Sequence, residues 1–235
     1  MRITGSTQRR TRALLIGVAT VAGALPAAAA AHHQPGHQGG PNAGNVSINA
    51  TSPVTWGRSA VVTGKLTGAS ANSGVALDLQ ADPFPFDDTG FATVASGATD
   101  SNGDYRLLHK PTLHTRYRVV AKASPTATSG VVTVLVRLRV KLSVSDRTPT
   151  AGRSVRFSGD VCPEHDGKVA SIQRRTSTGS YRTVARATLA DTGGGCSSYA
   201  RRIRIRRDGT YRVKVASSDA DHSTGTSRRV RIDAH

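Results

Sequence analysis

Cysteine is the most nucleophilic side chain in this sequence, and it occurs only at Cys162 and Cys196. A catalytic or redox thiol needs a lowered pKa and a neighbouring base, and a redox pair is typically spaced C-x-x-C. The two cysteines are 34 residues apart, which does not fit that spacing. In an exported protein, two cysteines most simply form one structural disulfide. We therefore predict a disulfide and no catalytic cysteine.

Three histidines, His32, His33 and His37, lie close together in a polar segment and could bind a metal. If a leader is removed near Ala30 or Ala31, the new amine, the adjacent amides and an imidazole give the tetragonal donor set that Cu(II) and Ni(II) favour. The alternative is a flexible polar arm, which we favour because histidines in a disordered tract bind metals adventitiously. We expect no cofactor.

Carboxylates cluster in two loops, and calcium is the ion that such loops could bind. One loop is Asp100-Ser101-Asn102-Gly103-Asp104, and the other contains Asp82, Asp87 and Asp88. A calcium loop of the EF-hand type needs a carboxylate at its twelfth position, where this sequence has Pro111. Asp and Asn before Gly are also typical of a tight turn between strands. We favour a turn and solvated loop charges, and a joint calcium site is the alternative.

No catalytic motif is present elsewhere in the sequence. It lacks G-x-S-x-G, H-E-x-x-H and a glycine-rich phosphate loop, and its remaining histidines have no acid or serine at a motif spacing. We therefore predict that the protein is not an enzyme. An enzyme whose site assembles from distant residues is the alternative.

Residues 1–31 have the three parts of a secretory signal peptide. Four arginines precede an apolar stretch from Ala13 to Leu25, and small residues follow at 27–31. The apolar stretch is too short to span a membrane, and no other segment is long enough to do so. Residues 32–45 are rich in Gly, Pro, Asn and Gln and predict a flexible arm. We expect a secreted protein, released or held at the cell envelope by non-covalent contact.

The remaining chain contains two copies of one unit. Residues 55–59 match residues 150–154 at an offset of 95. Tyrosines recur at a spacing of 12 residues in both copies, at Tyr105 and Tyr117 and at Tyr199 and Tyr211. Short alternating segments separated by Gly, Asn, Asp, Pro and Ser predict β-strands rather than helices. We predict an all-β fold of two tandem domains, residues 46–137 and 138–235.

The segment 144–161, with its Gly-x-Ser-Val-x-Phe-x-Gly core, and the segment 208–215 resemble bacterial immunoglobulin-like and fibronectin type III-like repeats of secreted and surface proteins. The resemblance implies two seven-stranded antiparallel β-sandwiches. It also implies that Tyr117 and Tyr211 are tyrosine corners, whose hydroxyls return to the backbone.

The topology of this family makes strands B and E antiparallel neighbours. By comparison of the two copies, Cys162 falls at the end of strand B and Cys196 at the approach to strand E, so the resemblance places the two cysteines side by side. Neither copy has the strand C tryptophan or the inter-sheet cysteine pair of antibody domains. Trp56 precedes strand B instead. There we expect it to cover one end of the first core, with carbohydrate stacking as the alternative.

The charge is concentrated in the second copy. The full chain carries a formal charge of +17, of which the four leader arginines supply +4. Residues 46–137 have 8 basic and 6 acidic side chains, whereas residues 138–235 have 20 and 9. Strand alternation places eight cationic side chains on the outer faces of the second copy: Arg156, Arg202, Arg204, Arg206, Arg212, Lys214, Arg229 and Arg231.

These rows of cations are typical of a solvated surface whose charges keep sheet edges from pairing. The alternative is attraction to a polyanion such as a cell-wall polymer, an acidic polysaccharide or extracellular nucleic acid. Sequence-specific nucleic-acid recognition is not expected, because no aromatic residues are interleaved on these strands. We expect an exported, non-enzymatic binding or structural module whose partner is an extracellular protein or an anionic polymer.

Overall fold

A computed structural model describes residues 44–86, 90–217 and 219–235. This part of the chain is all-β, with strands and no helix, so it contains no helix of the length and apolarity needed to cross a membrane. The predicted leader, most of the predicted arm with its three histidines, and Asp87 and Asp88 lie outside the described residues.

The first half of the described chain forms two antiparallel sheets and one short parallel pair. Its strands are β1 (Asn45–Val46), β2 (Asn49–Ala50), β3 (Val54–Thr55), β4 (Ala60–Thr67), β5 (Ala76–Pro83), β6 (Ala92–Ala98), β7 (Asp104–His109), β8 (Thr115–Ala121), β9 (Ala127–Thr128), β10 (Val132–Val134) and β11 (Val136–Arg137). One sheet has the order β1-β4-β2, with β7 also on β4, and the other has the order β10-β8-β5-β6, with β9 also on β8. The parallel pair joins β3 to β11.

The second half forms two further antiparallel sheets. Its strands are β12 (Arg139–Val140), β13 (Ser143–Val144), β14 (Ser154–Cys162), β15 (Val169–Arg175), β16 (Tyr181–Thr188), β17 (Ala190–Asp191), β18 (Ser197–Arg204), β19 (Gly209–Val215), β20 (Gly225–Thr226) and β21 (Val230–Ile232). One sheet has the order β12-β14-β18-β17, with β13 also on β14, and the other has the order β16-β15-β19-β20, with β21 also on β19.

Each half has its own hydrophobic core, to which both of its sheets contribute. In the first half, Val62 on β4 and Leu79 on β5 are both fully buried in one cluster. In the second half, Phe157 on β14, Ile172 on β15 and Val213 on β19 are fully buried in another. Apolar side chains that alternate with polar ones along each strand therefore fill the space between two sheets, as in a β-sandwich.

A disulfide joins Cys162 to Cys196, as predicted, with their Cα atoms 4.5 Å apart. Cys162 is the last residue of β14, and Cys196 directly precedes β18. These two strands are antiparallel neighbours, paired from Ser154 opposite Arg204 to Val161 opposite Ser197. The bridge therefore ties one end of this strand pair together.

Two tyrosine hydroxyls hold the first strand segments of each half. Tyr105 donates to the carbonyl of Ser47 at 2.6 Å, and Tyr199 donates to the carbonyl of Lys141 at the same distance. Burial raises the pKa of Tyr105 to about 12, so its hydroxyl keeps the proton that it donates.

The two tyrosines that the resemblance implied as tyrosine corners, Tyr117 and Tyr211, have neighbouring side chains. The hydroxyl of Tyr117 lies 2.7 Å from Nδ1 of His109, which is a side chain and not the backbone. The ring of Tyr211 packs edge-on against Phe157, with centroids 5.2 Å apart. The contact to a backbone carbonyl is made by the preceding tyrosine of each half, because that residue lies opposite a glycine on the neighbouring strand.

The two halves contact each other around His114. Its backbone N–H donates to the carbonyl of Asp221 at 2.9 Å, and its Nδ1 accepts from the N–H of Val136 at 2.8 Å. Nearby, Nε2 of His222 lies 2.8 Å from the carbonyl of Thr112. Burial lowers the pKa of His114, His222 lowers it further and Asp221 opposes the shift. The acceptor role of Nδ1 requires that this nitrogen carries no proton, and the direction of the pKa shift agrees with it.

Candidate anion-binding site

An exposed row of cations lies on and next to β14 and β18. Arg156 lies directly opposite Arg202 in the antiparallel register, and both side chains are exposed. Val155 and Phe157, on either side of Arg156, are buried, so the pleat turns Arg156 to solvent. Like charges directly opposite each other destabilise a sheet. The sheet therefore presents an unneutralised pair of guanidinium groups.

Two further arginines extend this row towards the end of β18. Arg204 lies opposite Ser154, and Arg206 follows the strand; both are exposed. Among the described residues, none of these four arginines forms an ion pair. We call Arg156, Arg202, Arg204 and Arg206 the arginine face.

Three of the four predicted cations on β19 and around β21 have partners within the protein. The guanidinium of Arg212 lies 3.7 Å from the ring centroid of Tyr181, and its Nε donates to Gln173 at 2.9 Å. Arg229 lies 6.0 Å from the same ring. Arg231 donates to Asp233 at 2.6 Å. Lys214 is exposed.

The first half repeats the contact made by Arg212. Arg118 lies 4.4 Å from the ring centroid of Phe91, and its Nε donates to Gln80 at 2.7 Å. An arginine that stacks on an aromatic ring and bonds a glutamine thus occurs in both halves, although only the second half is strongly basic. This contact is therefore part of the sheet packing, and Arg212 is already engaged within the protein.

Four arginines that strand alternation did not single out line a pocket of about 520 Å³ at one end of the second half. They are Arg174, Arg175, Arg182 and Arg207, joined at the rim by Arg231. They come from the end of β15, the start of β16 and the turn before β19. We call it the end pocket. Alternation along one strand does not show which strand ends come together, so the end pocket could not be predicted from the sequence.

One arginine of the end pocket is fixed by the backbone. Arg174 donates through Nη2 to the carbonyl of Asp208. A Cβ on Gly209 would overlap its Nε, so the glycine permits this close approach. The end pocket therefore holds at least one guanidinium in a set position.

The first of the two predicted acidic loops, around Asp100, is a turn. Oδ1 of Asp100 accepts from the backbone N–H of Asn102 at 2.8 Å and from that of Asp104 at 2.9 Å, which is the geometry of a side chain capping its own turn. Asp82 is only 4% exposed and lies opposite Arg116 on the neighbouring strand. It is therefore not the solvated loop charge that the sequence predicted, because it belongs to β5.

A cluster of exposed carboxylates lies next to the disulfide in sequence. Oxygens of Glu164, Asp166 and Asp191 lie within 4.8 Å of one another. A hydrogen bond with Asp166, together with the charges of Asp166 and Asp191, raises the pKa of Glu164. In the described part of the chain no ion pair joins these carboxylates to the arginine face, so the cluster does not neutralise it.

No protein-family model matches the chain, and no curated protein matches it at a significant level of similarity.

Proposed function

We propose that this protein is exported and non-enzymatic, that residues 46–137 and 138–235 are tandem immunoglobulin-like β-sandwich domains, and that the second domain binds anionic polymers of the extracellular space. The separate cores and the antiparallel sheets support the division into two domains. The disulfide is compatible with an oxidising compartment.

The observation that carries the binding proposal is the direct opposition of Arg156 and Arg202. Two guanidinium groups in register repel each other, and the protein supplies no carboxylate to them among its described residues. A chain of phosphate, sulfate or carboxylate groups laid across β14 and β18 would relieve that repulsion. Each guanidinium donates paired hydrogen bonds to such groups.

The arginine face favours a polymer without bases. Binding of single-stranded nucleic acid depends on aromatic side chains on which successive bases stack. The arginine face contains no aromatic residue, and the aromatic residues on the same two strands, Phe157 and Tyr199, are buried in the core. Cell-wall polymers, polyphosphate and acidic polysaccharides are therefore better candidates than nucleic acid.

The quadruple variant R156A/R202A/R204A/R206A is expected to elute from an immobilised polyphosphate matrix at much lower salt than the wild-type protein. Each phosphate contact contributes about 0.7 to 0.9 to the slope of log affinity against log salt, so the slope should fall by roughly 3. Affinity at physiological salt is expected to fall by about a hundredfold or more.

The matched control is R106A/R147A/R153A/R186A, which removes four exposed arginines outside the arginine face. Its net charge equals that of the test variant, but its salt slope is expected to change by less than about 1. Equal losses in the two variants would show that binding follows net charge alone, and the arginine face would then have no special role.

A further inference from the structure

A second cationic concavity lies where the two halves meet, in a groove of about 720 Å³. We call it the junction groove; its aromatic and charged lining residues are Trp56, Arg58, Arg137, Arg139, Lys141 and Arg228. No aspartate or glutamate is among the described residues that line it. Its volume is within the range of about 300 to 1,000 Å³ that is usual for small-molecule sites.

Arg139 lines the junction groove, and it has no ion-pair partner among the described residues. Its guanidinium carbon lies 5.2 Å from the ring centroid of Trp56, and Nη2 lies 3.1 Å from Sγ of Cys162. Its Nε is buried and has no hydrogen-bond partner in the described part of the chain. A sulfur atom is a weak acceptor. A partly buried cation with so little compensation is costly, and an anion in the groove would reduce that cost.

The other cations of the groove are only slightly engaged. Arg137 donates to the carbonyl of Pro53 at 3.2 Å, and Lys141 lies 3.8 Å from Asp160. Arg58 and Arg228 are exposed, and neither side chain has an ion-pair partner among the residues that the structure describes. Two guanidinium groups are thus available to a ligand, one contributed by each half.

Trp56 limits the kind of ligand that fits. Its indole packs against the first core, as expected of a residue that covers the end of that core, and Arg139 lies over its ring. Stacking of a nucleic-acid base needs a free aromatic face. The chemistry that remains is recognition of oxyanions by guanidinium forks.

We propose that the junction groove binds the oxyanion groups, phosphate, sulfate or carboxylate, of a ligand that carries no bases, and that one ligand contacts both halves. The inference rests on the proposed function in one respect, because the polymer on the arginine face is the expected source of these groups. It extends that function by giving the first half a part in binding and by defining a site that a short oligomer can fill.

The chain has a single tryptophan, so indole fluorescence reports on the junction groove directly. The purified full chain is titrated at physiological ionic strength with tripolyphosphate, with trigalacturonate and with a short oligothymidylate, followed by fluorescence and by calorimetry. A saturable change in fluorescence is expected with at least one of the two base-free probes. The tighter probe then identifies phosphate or carboxylate as the preferred oxyanion.

The test variant is R58A/R228A, and R153A/R186A is the control that removes two exposed arginines outside the groove. The test variant should bind the tighter probe at least about tenfold more weakly, since a charge-assisted bond contributes about 1.4 kcal/mol or more. The control should bind within about twofold of wild type. Both variants remove only exposed side chains and should unfold at the wild-type temperature.

The outcomes separate the two proposals. No fluorescence change with either base-free probe, or equal weakening in both variants, overturns the junction groove even if the arginine face still determines retention on polyphosphate. Saturable fluorescence binding without face-dependent retention overturns the proposed polymer function and leaves the groove as a site. Tighter binding of oligothymidylate than of both base-free probes overturns the assignment of a ligand without bases.

Discussion

Removing the disulfide with C162A/C196A is expected to lower the free energy of unfolding of the second half by about 3 to 4 kcal/mol. The two cysteines are 34 residues apart in the chain, and the loop between them contains β15, β16 and β17. Without the bridge, the unfolded chain regains the conformational freedom of that whole loop. Denaturant unfolding followed by far-ultraviolet circular dichroism measures the loss.

The first half provides an internal reference for this measurement. It contains no cysteine and has the chain's only tryptophan, Trp56. Trp56 packs against the first core, so indole fluorescence should report an unfolding midpoint close to that of the wild type. A loss of less than about 1 kcal/mol in the second half would contradict a stabilising role for the bridge.

Gly159→Ala is expected to destabilise the second half by about 2 to 4 kcal/mol. A Cβ at position 159 would overlap the carbonyl of Lys141, which accepts the hydroxyl of Tyr199 at 2.6 Å. The alanine would therefore push the chain before β13 away from β14. The loss combines overpacking with a broken buried hydrogen bond.

Gly194→Ala is the matched control for this substitution. A Cβ at that position has no neighbour within 4 Å, so stability should change by less than about 0.5 kcal/mol. Thermal unfolding of the two variants side by side makes the comparison. If Gly159→Ala were as stable as the control, the contact between Tyr199 and the backbone would have no structural importance.

The strands with clear alternation could be predicted from the sequence. In β19, Tyr211, Val213 and Val215 are buried while Lys214 is exposed, as the pattern of apolar and polar residues indicated. The pairing that brings the two cysteines together was implied by the resemblance to immunoglobulin-like repeats, in which strands B and E are neighbours. The side-chain period is thus encoded locally, by residues close in sequence, whereas the strand order was an implication of the resemblance.

Contacts between elements that are distant in sequence could not be predicted in the same way. The first strand segments of each half are short fragments, β1 and β2 in one half and β12 and β13 in the other, and each fragment pairs with a different stretch of its neighbour. The ring of Tyr181 packs against the guanidinium of Arg212 although the two residues lie on different strands. Tyr181 is on β16, which pairs with β15, and Arg212 is on β19. The end pocket and the junction groove are likewise lined by segments that are distant in sequence. The alternation of residues along one strand does not show which of these segments come into contact.

The two halves differ in chemistry more than in architecture. The aromatic, glutamine and arginine cluster occurs in both, as Phe91 with Arg118 and as Tyr181 with Arg212. The concentration of exposed arginine belongs to the second half, where 20 basic side chains outnumber 9 acidic ones. A shared sheet arrangement thus carries a charge distribution that only one half has, and this difference is the basis of the binding proposal.

The most direct test of the central claim is to map which arginines a bound polymer covers. An arginine-selective dicarbonyl reagent is applied to the full chain with and without saturating polyphosphate, and modification is quantified residue by residue by mass spectrometry. Arg156 and Arg202 should become strongly protected, while Arg106 and Arg153 should react at unchanged rates. Uniform protection of all four, or no protection of the arginine face, would contradict the assignment of anion binding to β14 and β18.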